Sequence, residues 1–337
     1  MHELFNKLLI LRTPGIGPVK YNNLIKEYGS VESAVKSLNI NQDFSDSIKR
    51  EIDLANSLGI KYICNNESEY PKLLRKIKNH PPILCVRGNI KTLSKKSVGM
   101  VGTRHASAAG LSFMANLAND FANHGYAVVS GMAMGTDAAA HKGALRAQGD
   151  SQTIAVLAGG VDYAWPIENE KLYYSIIERG VVISEMPVGS KPLPNNFVQR
   201  NRWIAGISEK LILGEADLKS GSMSTAKFTL DYERLLYAIP SHPSDERSAG
   251  PNRLIKQGKA ILCQGGDDFF IKNHQIENKK QNTKNKSELL DKIGTIPVSE
   301  SVLTQLVKKS VSEIKSELIM LELDGKIRKT DTGYVKI

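Results

Sequence analysis

SVGMVG (97–102), YAVVSG (126–131) and TIAVLAGG (153–160) are short apolar runs that each end in glycine or serine. A stretch with helical period separates each run from the next. In GLSFMANLANDFANHG (110–125), Leu111, Met114, Leu117 and Phe121 fall on one helical face. The same alternation continues through VVISE (181–185), KLILGEA (210–216), LLYAIP (235–240) and AILC (260–263). Strands that are apolar on both sides belong in a sheet covered on both faces, and regular strand–helix alternation makes that sheet parallel. Residues 82–272 are therefore expected to form an α/β domain with a Rossmann-like, doubly wound, mostly parallel sheet.

Three further segments flank this domain. Residues 1–81 read as helical, with PGIGP (Pro14 to Pro18) set between LLILR and the amphipathic YNNLIKEYG. Two glycines in a tight turn between short helices give a helix-hairpin-helix-like (or SAM-like) N-terminal domain. Its turn either presents backbone N–H groups to a phosphate or is a plain packing unit. Residues 273–286, NHQIENKKQNTKNK, hold almost nothing apolar and read as a flexible linker. In 287–337, SELLDKIG and SESVLTQLV each open on a capping serine, VSEIKSELIMLELDG ends at Gly325, and KIRKTDTGYVKI reads as strand–turn–strand. Three helices and a hairpin are the order of a winged-helix domain. Its third helix would expose Glu313, Lys315, Ser316, Glu317 and Glu322, an arrangement that favours packing or protein contact over a DNA groove.

The chain carries a formal charge of +10, divided as +3 over 1–81, +3 over 82–271, +4 over 272–286 and zero over 287–337. With no basic block outside the linker, any polyanion must be held by individually placed residues. No apolar run approaches the roughly 20 residues of a membrane span, and the N-terminus has no signal-peptide pattern. Cys64, Cys85 and Cys263 are isolated and form no CxxC pair, so neither a metal site nor a disulfide framework is expected. A cytoplasmic protein fits these features.

Ligands of an open parallel sheet sit beyond the carboxyl ends of its strands, so the residue following each run is informative. Those ends supply Gly102-Thr103-Arg104, then Ser130-Gly131 leading to Thr136-Asp137, then Gly159-Gly160, Ser184-Glu185, Glu215, and the turn Lys219-Ser220-Gly221-Ser222. Glycines and helix starts of this kind suit phosphates. The first turn lacks the G-x-G-x-x-G of a dinucleotide site, and no P-loop occurs. The segment FVQRNR adds Phe197, Arg200, Asn201 and Arg202: arginine forks a phosphate, and an aromatic face stacks an unpaired base. In the alternative arrangement Phe197 lies in the core and the arginines pair with Glu185 or Glu215. No nucleophile elbow, metal motif or catalytic triad is recognisable, so no catalytic residue, cofactor or metal is expected, and His141 reads as a structural histidine.

VGMVGTRHAS (98–107), SGMAMGTDAAAHKGAL (130–145), TIAVLAGGVD (153–162), ISEMP (183–187), FVQRNRWIAGIS (197–208), GEADLKSGSMSTA (214–226) and AGPNRLIKQGKAIL (249–262) occur in one order. In that order they resemble the DNA processing protein A (DprA/Smf) family over about residues 60–270. The resemblance implies a dimeric single-stranded DNA-binding protein that protects incoming strands and loads the recombinase RecA. It also implies that Gly102, Thr103 and Arg104 form part of the DNA pocket, that Phe197 stacks a base, and that Lys191 is the nearest match to a basic residue preceding it. Val198, Thr136, Ser224 and the turn Pro240-Ser241-His242-Pro243 depart from the family pattern. The competing functions are a nucleotide-hydrolysing enzyme and a sensor of a small nucleotide signal.

Overall fold

The computed structural model describes residues 2–148, 153–270, 288–307 and 309–337, which fall into two compact units, Met1–Ile271 and Lys272–Ile337. In the first unit nine strands form one sheet: β1 Lys61–Cys64, β2 Ile83–Gly88, β3 Ser97–Val101, β4 Ala127–Ser130, β5 Thr153–Val156, β6 Val181–Ser184, β7 Lys210–Leu213, β8 Leu235–Ala238 and β9 Ile261–Leu262. Their order is β1-β2-β6-β5-β4-β3-β7-β8-β9. From β6 to β9 all neighbours are parallel, whereas β1 and β2 are antiparallel additions at one edge. The chain runs outward through β4, β5 and β6, then returns to β7 on the other side of β3. The switch point of the sheet therefore lies between β3 and β7.

Strand period explains how both faces are filled. Ala127 and Val129 join a core with Trp203, Ile204 and Ile207 on one face, while Val128 joins Met114, Leu117 and Phe121 on the other. The apolar stripe expected on residues 110–125 is thus buried by the helix Ala108–Asn123, with Leu111 half-buried at its margin.

Residues 1–81 are helical as expected except at β1, a strand of the main sheet inside that segment. KYIC is too short to show a period, and its core side is supplied by β2, whose ILCVRG run lies across the 81/82 boundary. The helices His2–Arg12 and Pro18–Tyr28 flank the PGIGP turn, where Gly15 has φ of 79° and Pro18 opens the second helix. Arg12 binds Glu51 on the helix Gln42–Ser57 through Nε (3.1 Å) and Nη2 (3.0 Å), and Nη1 donates to the Glu185 carbonyl (3.3 Å). Glu51 also accepts from the Val188 N–H (3.3 Å). The N-terminal helices are thereby fastened to the loop that follows β6.

The second unit contains the helices Glu288–Asp291, Glu300–Leu306 and Val311–Leu323, then the hairpin β10 Ile327–Thr330 and β11 Gly333–Lys336. Ser299 and Ser310 cap the latter two helices, Ser310 in a reciprocal capping box with Glu313. The linker expected at 273–286 and the cap expected at Ser287 lie outside the described residues.

Candidate functional site

Strand-end residues converge at the switch point around a cavity of about 290 Å³. Gly102, Thr103 and Arg104 enter from the end of β3, Phe197, Arg200 and Asn201 from the helix Pro194–Ile207, and Ser220, Gly221 and Ser222 from the start of the helix Gly221–Asp231. Local geometry fixes each group. A Cβ on Gly102 would lie 2.6 Å from Thr136 Oγ1 and 2.9 Å from the Glu215 carbonyl, so only glycine fits there. Ser220 caps its helix, and its hydroxyl lies 2.7 Å from that of Ser222.

On the helix Pro194–Ile207, residues 197, 200, 201 and 204 share a face by their spacing. Phe197 is half-buried, with the guanidinium of Arg104 5.9 Å and that of Arg200 5.8 Å from its ring centroid. The two arginines differ sharply. Arg200 is 6% exposed; Nη1 donates to the carbonyls of Gly131 and Val156, and Nε to Asn201 Oδ1. Burial pushes its guanidinium down to about 10, against the attraction of Asp137. Arg104 is exposed and makes no hydrogen bond or ion pair among the described residues. Asn201 bridges helices by donating to the Gly221 carbonyl (3.2 Å) and Ser224 Oγ (3.1 Å).

Other expected residues take different places. Ser130 is fully buried and donates to the Met100 carbonyl at 2.6 Å, stitching β4 to β3. Gly131 lies under the Arg200 guanidinium, in space that a Cβ would occupy. Arg202 does not line the cavity, and its guanidinium lies over the Trp203 ring, 4.7 Å from the centroid. Lys191 and Lys219 are exposed, Lys219 in a turn, and neither lines the cavity. Neither Arg200 nor Arg202 forms an ion pair with Glu185 or Glu215 among the described residues, although the Arg202 charge acts on Glu185: Glu185 accepts the Trp203 indole N–H (2.7 Å), and Glu215 accepts the Ser107 N–H (2.7 Å). Asp137, His105 and Thr225 also line the cavity. Thr225 lies three residues beyond Ser222 on one helix, a spacing that could have revealed it.

Asp137 accepts from the Gly131 and Ala133 N–H groups, and burial pushes its carboxyl above the usual range despite Arg200 nearby. His141 is fully buried and bonded to Thr153 Oγ1 (2.7 Å), and burial holds its imidazole down at about 3. A neutral histidine of this kind stabilises the fold fully above its unfolded pKa of about 6.5, and that stability is lost as pH falls toward the folded value. Urea unfolding should therefore show about 2 kcal/mol lost to this residue between roughly pH 6.5 and pH 5, and a correspondingly smaller acid loss in His141→Met.

The family model for DNA recombination-mediator protein A matches residues 61–274, and that for the DprA-like N-terminal HHH domain matches residues 1–44. The chain belongs to the DNA recombination-mediator protein A family. Protein Smf of Synechocystis is 32% identical over 269 residues, covering 74% of this chain and 67% of that protein. DNA processing protein DprA of Bacillus subtilis is 33% identical over 229 residues, covering 68% and 76%. Among solved structures, DNA processing protein A of Streptococcus pneumoniae superposes with a TM-score of 0.67 at 28% identity, covering 78% of this chain and 96% of that one. The Helicobacter pylori protein, whose structure was described for its single-stranded DNA binding mode, gives 0.57 at 30% identity, covering 62% and 93%. In this recombination-mediator family member, four of the seven motifs that carried the resemblance, 98–107, 130–145, 197–208 and 214–226, contribute residues to the cavity.

Proposed function

We propose that the cavity holds single-stranded DNA, and that the chain uses it to protect incoming strands and pass them to RecA without performing chemistry on them. The observation that carries this reading is the unengaged Arg104 guanidinium facing the Phe197 ring at the mouth of a Ser/Gly-lined crevice. A cation for the phosphate and an aromatic face for the base are what a single strand offers partners for. The single-stranded DNA binding mode described for the Helicobacter pylori relative supports the same assignment. Of the groups an alternative hydrolase would use, Glu185, Glu215 and His141 are turned to Trp203, Ser107 and Thr153, while Asp137 lines the cavity and accepts from the Gly131 and Ala133 N–H groups. Gel shifts with single and double strands of equal length test the reading, and equal affinity for both would overturn it. A length series separates a strand site, which tightens as the oligonucleotide grows, from a sensor, which saturates at one nucleotide. Release of free base would mark a hydrolase.

We also propose a cytoplasmic homodimer. Leu235, Ile261 and Leu262 are exposed at the β8–β9 edge, an apolar strand edge suited to self-association. The three cysteines are free and buried, their thiols pushed up to about 11 (Cys64) and about 12 (Cys85 and Cys263), which suits a reducing compartment. No helix among the described residues is long and apolar enough to cross a membrane.

The second unit is proposed as a winged-helix domain that contacts protein. On its longest helix the acidic side chains are engaged, Glu317 with Lys309 and Glu313 with the Ser310 cap, while Val311, Ile319 and Met320 are exposed. The isolated segment 287–337 is expected to show no salt-dependent binding to duplex DNA in a gel shift.

A further inference from the structure

A second cavity, of about 210 Å³, adjoins the first and shares Arg104, Phe197, Arg200 and Ala133 with it. Its remaining wall includes Trp165, Met134 and Ile167, which are 46%, 38% and 63% exposed. Single exposed apolar side chains need no explanation, but three around one concavity beside an unengaged guanidinium mark a binding surface. None of these three entered the candidate site from the sequence, because Trp165 follows a strand end by several residues and carries no motif.

The platform is held in place. Asn169 is buried, and its Nδ2 donates to the carbonyls of Met132 (2.8 Å) and Ala133 (3.3 Å), fastening the segment around Trp165 to the loop after β4. The first residue of that loop, Gly131, is in turn gripped by Arg200. An aromatic face fixed before the ligand arrives loses little entropy on binding. The chemistry of the walls orders the ligand. The indole and Met134 suit the flat face of an unpaired base. Glu168, also in the wall, only accepts hydrogen bonds and repels phosphate. Of the two arginines in the shared wall, Arg104, which has no hydrogen bond to protein among the described residues, is then placed for the phosphodiester that joins two nucleotides.

We propose that this second cavity is the subsite for the neighbouring base of the strand, with Trp165 as its stacking surface, so that the bound unit is a dinucleotide step across Arg104. The inference rests on the reading of the first cavity as a single-strand site. The chain has two tryptophans, and Trp203 is 2% exposed with its N–H bonded to Glu185, so fluorescence quenching by an oligonucleotide reports on Trp165. Titrating the full chain with an oligodeoxynucleotide is expected to quench the emission, and Trp165→Phe is expected to abolish the quench while retaining most of the affinity. By anisotropy of a labelled strand, Trp165→Ala is expected to lose roughly 5- to 150-fold in affinity, the range for one base stacked on an aromatic ring, with unchanged thermal stability. Absence of quenching together with undiminished affinity in Trp165→Ala, while binding still depends on Arg104 and Phe197, overturns this subsite and leaves the first cavity standing. Failure of the unaltered chain to bind single strands overturns both.

Discussion

Replacing Arg104 with alanine is expected to lower affinity for single-stranded DNA by roughly 10- to 150-fold, the equivalent of about 1.5–3 kcal/mol for a hydrogen bond to a charged group. The size of the loss follows from the charge balance of the cavity. Arg200 is spent on two carbonyls and offset by the nearby Asp137 carboxyl, which leaves Arg104 as the lining arginine with no hydrogen-bond or ion-pair partner among the described residues. The slope of log affinity against log salt should fall by about 0.7, the share of one phosphate on a single strand. The loss should be equal across sequences, because backbone contacts carry no base information. Arg104→Lys should recover the charge but not the fork, and so only part of the affinity. Since Arg104 is exposed, the thermal midpoint should not move. A loss confined to one sequence would count against the phosphate role.

Arg200→Met is expected to act on the fold instead. It leaves the carbonyls of Gly131 and Val156 without their donor and leaves Asp137 buried without its compensating cation. Breaking a buried charge arrangement of this kind costs about 3–5 kcal/mol. The denaturant midpoint should fall with an unchanged slope, and DNA affinity should fall with it, because Arg200 also positions Asn201 and flanks Phe197. Lysine cannot span both carbonyls, so Arg200→Lys should recover little. Unchanged stability with lost affinity would instead make Arg200 a direct ligand contact.

The difference between these two arginines was not legible in the sequence. Both belong to motifs that resemble a DNA pocket, and their residue type says only that each can fork an oxygen. Which oxygen is available depends on whether the helix Pro194–Ile207 turns the side chain toward β4 and β5 or toward open crevice. The same helix shows why Phe197, Arg200 and Asn201 could be grouped in advance, since 200 and 201 each lie about one turn from 197, and why Arg202, two residues beyond Arg200, belongs to another side of the helix. The parallel sheet was legible because its strands are apolar on both sides and end in glycine or serine. Strand β1 was not, because four residues, of which only Ile63 and Cys64 are buried, are indistinguishable from the end of a helical segment until β2 is seen beside them. Ser130 looked like a rim residue from its place after a strand. One position earlier than the turn, its hydroxyl is still inside the sheet and binds a neighbouring strand.

The Arg12–Glu51 pair makes the N-terminal helices a splint for the helix Pro194–Ile207. The loop after β6 leads directly into Pro194–Ile207, and it is braced from outside by the Arg12 bond to the Glu185 carbonyl and the Glu51 bond to the Val188 N–H. Trimming the first 44 residues would therefore do more than discard a detachable arm. It would leave Glu51 uncompensated in a low-dielectric setting and slacken the run of chain that aims Phe197 at the crevice.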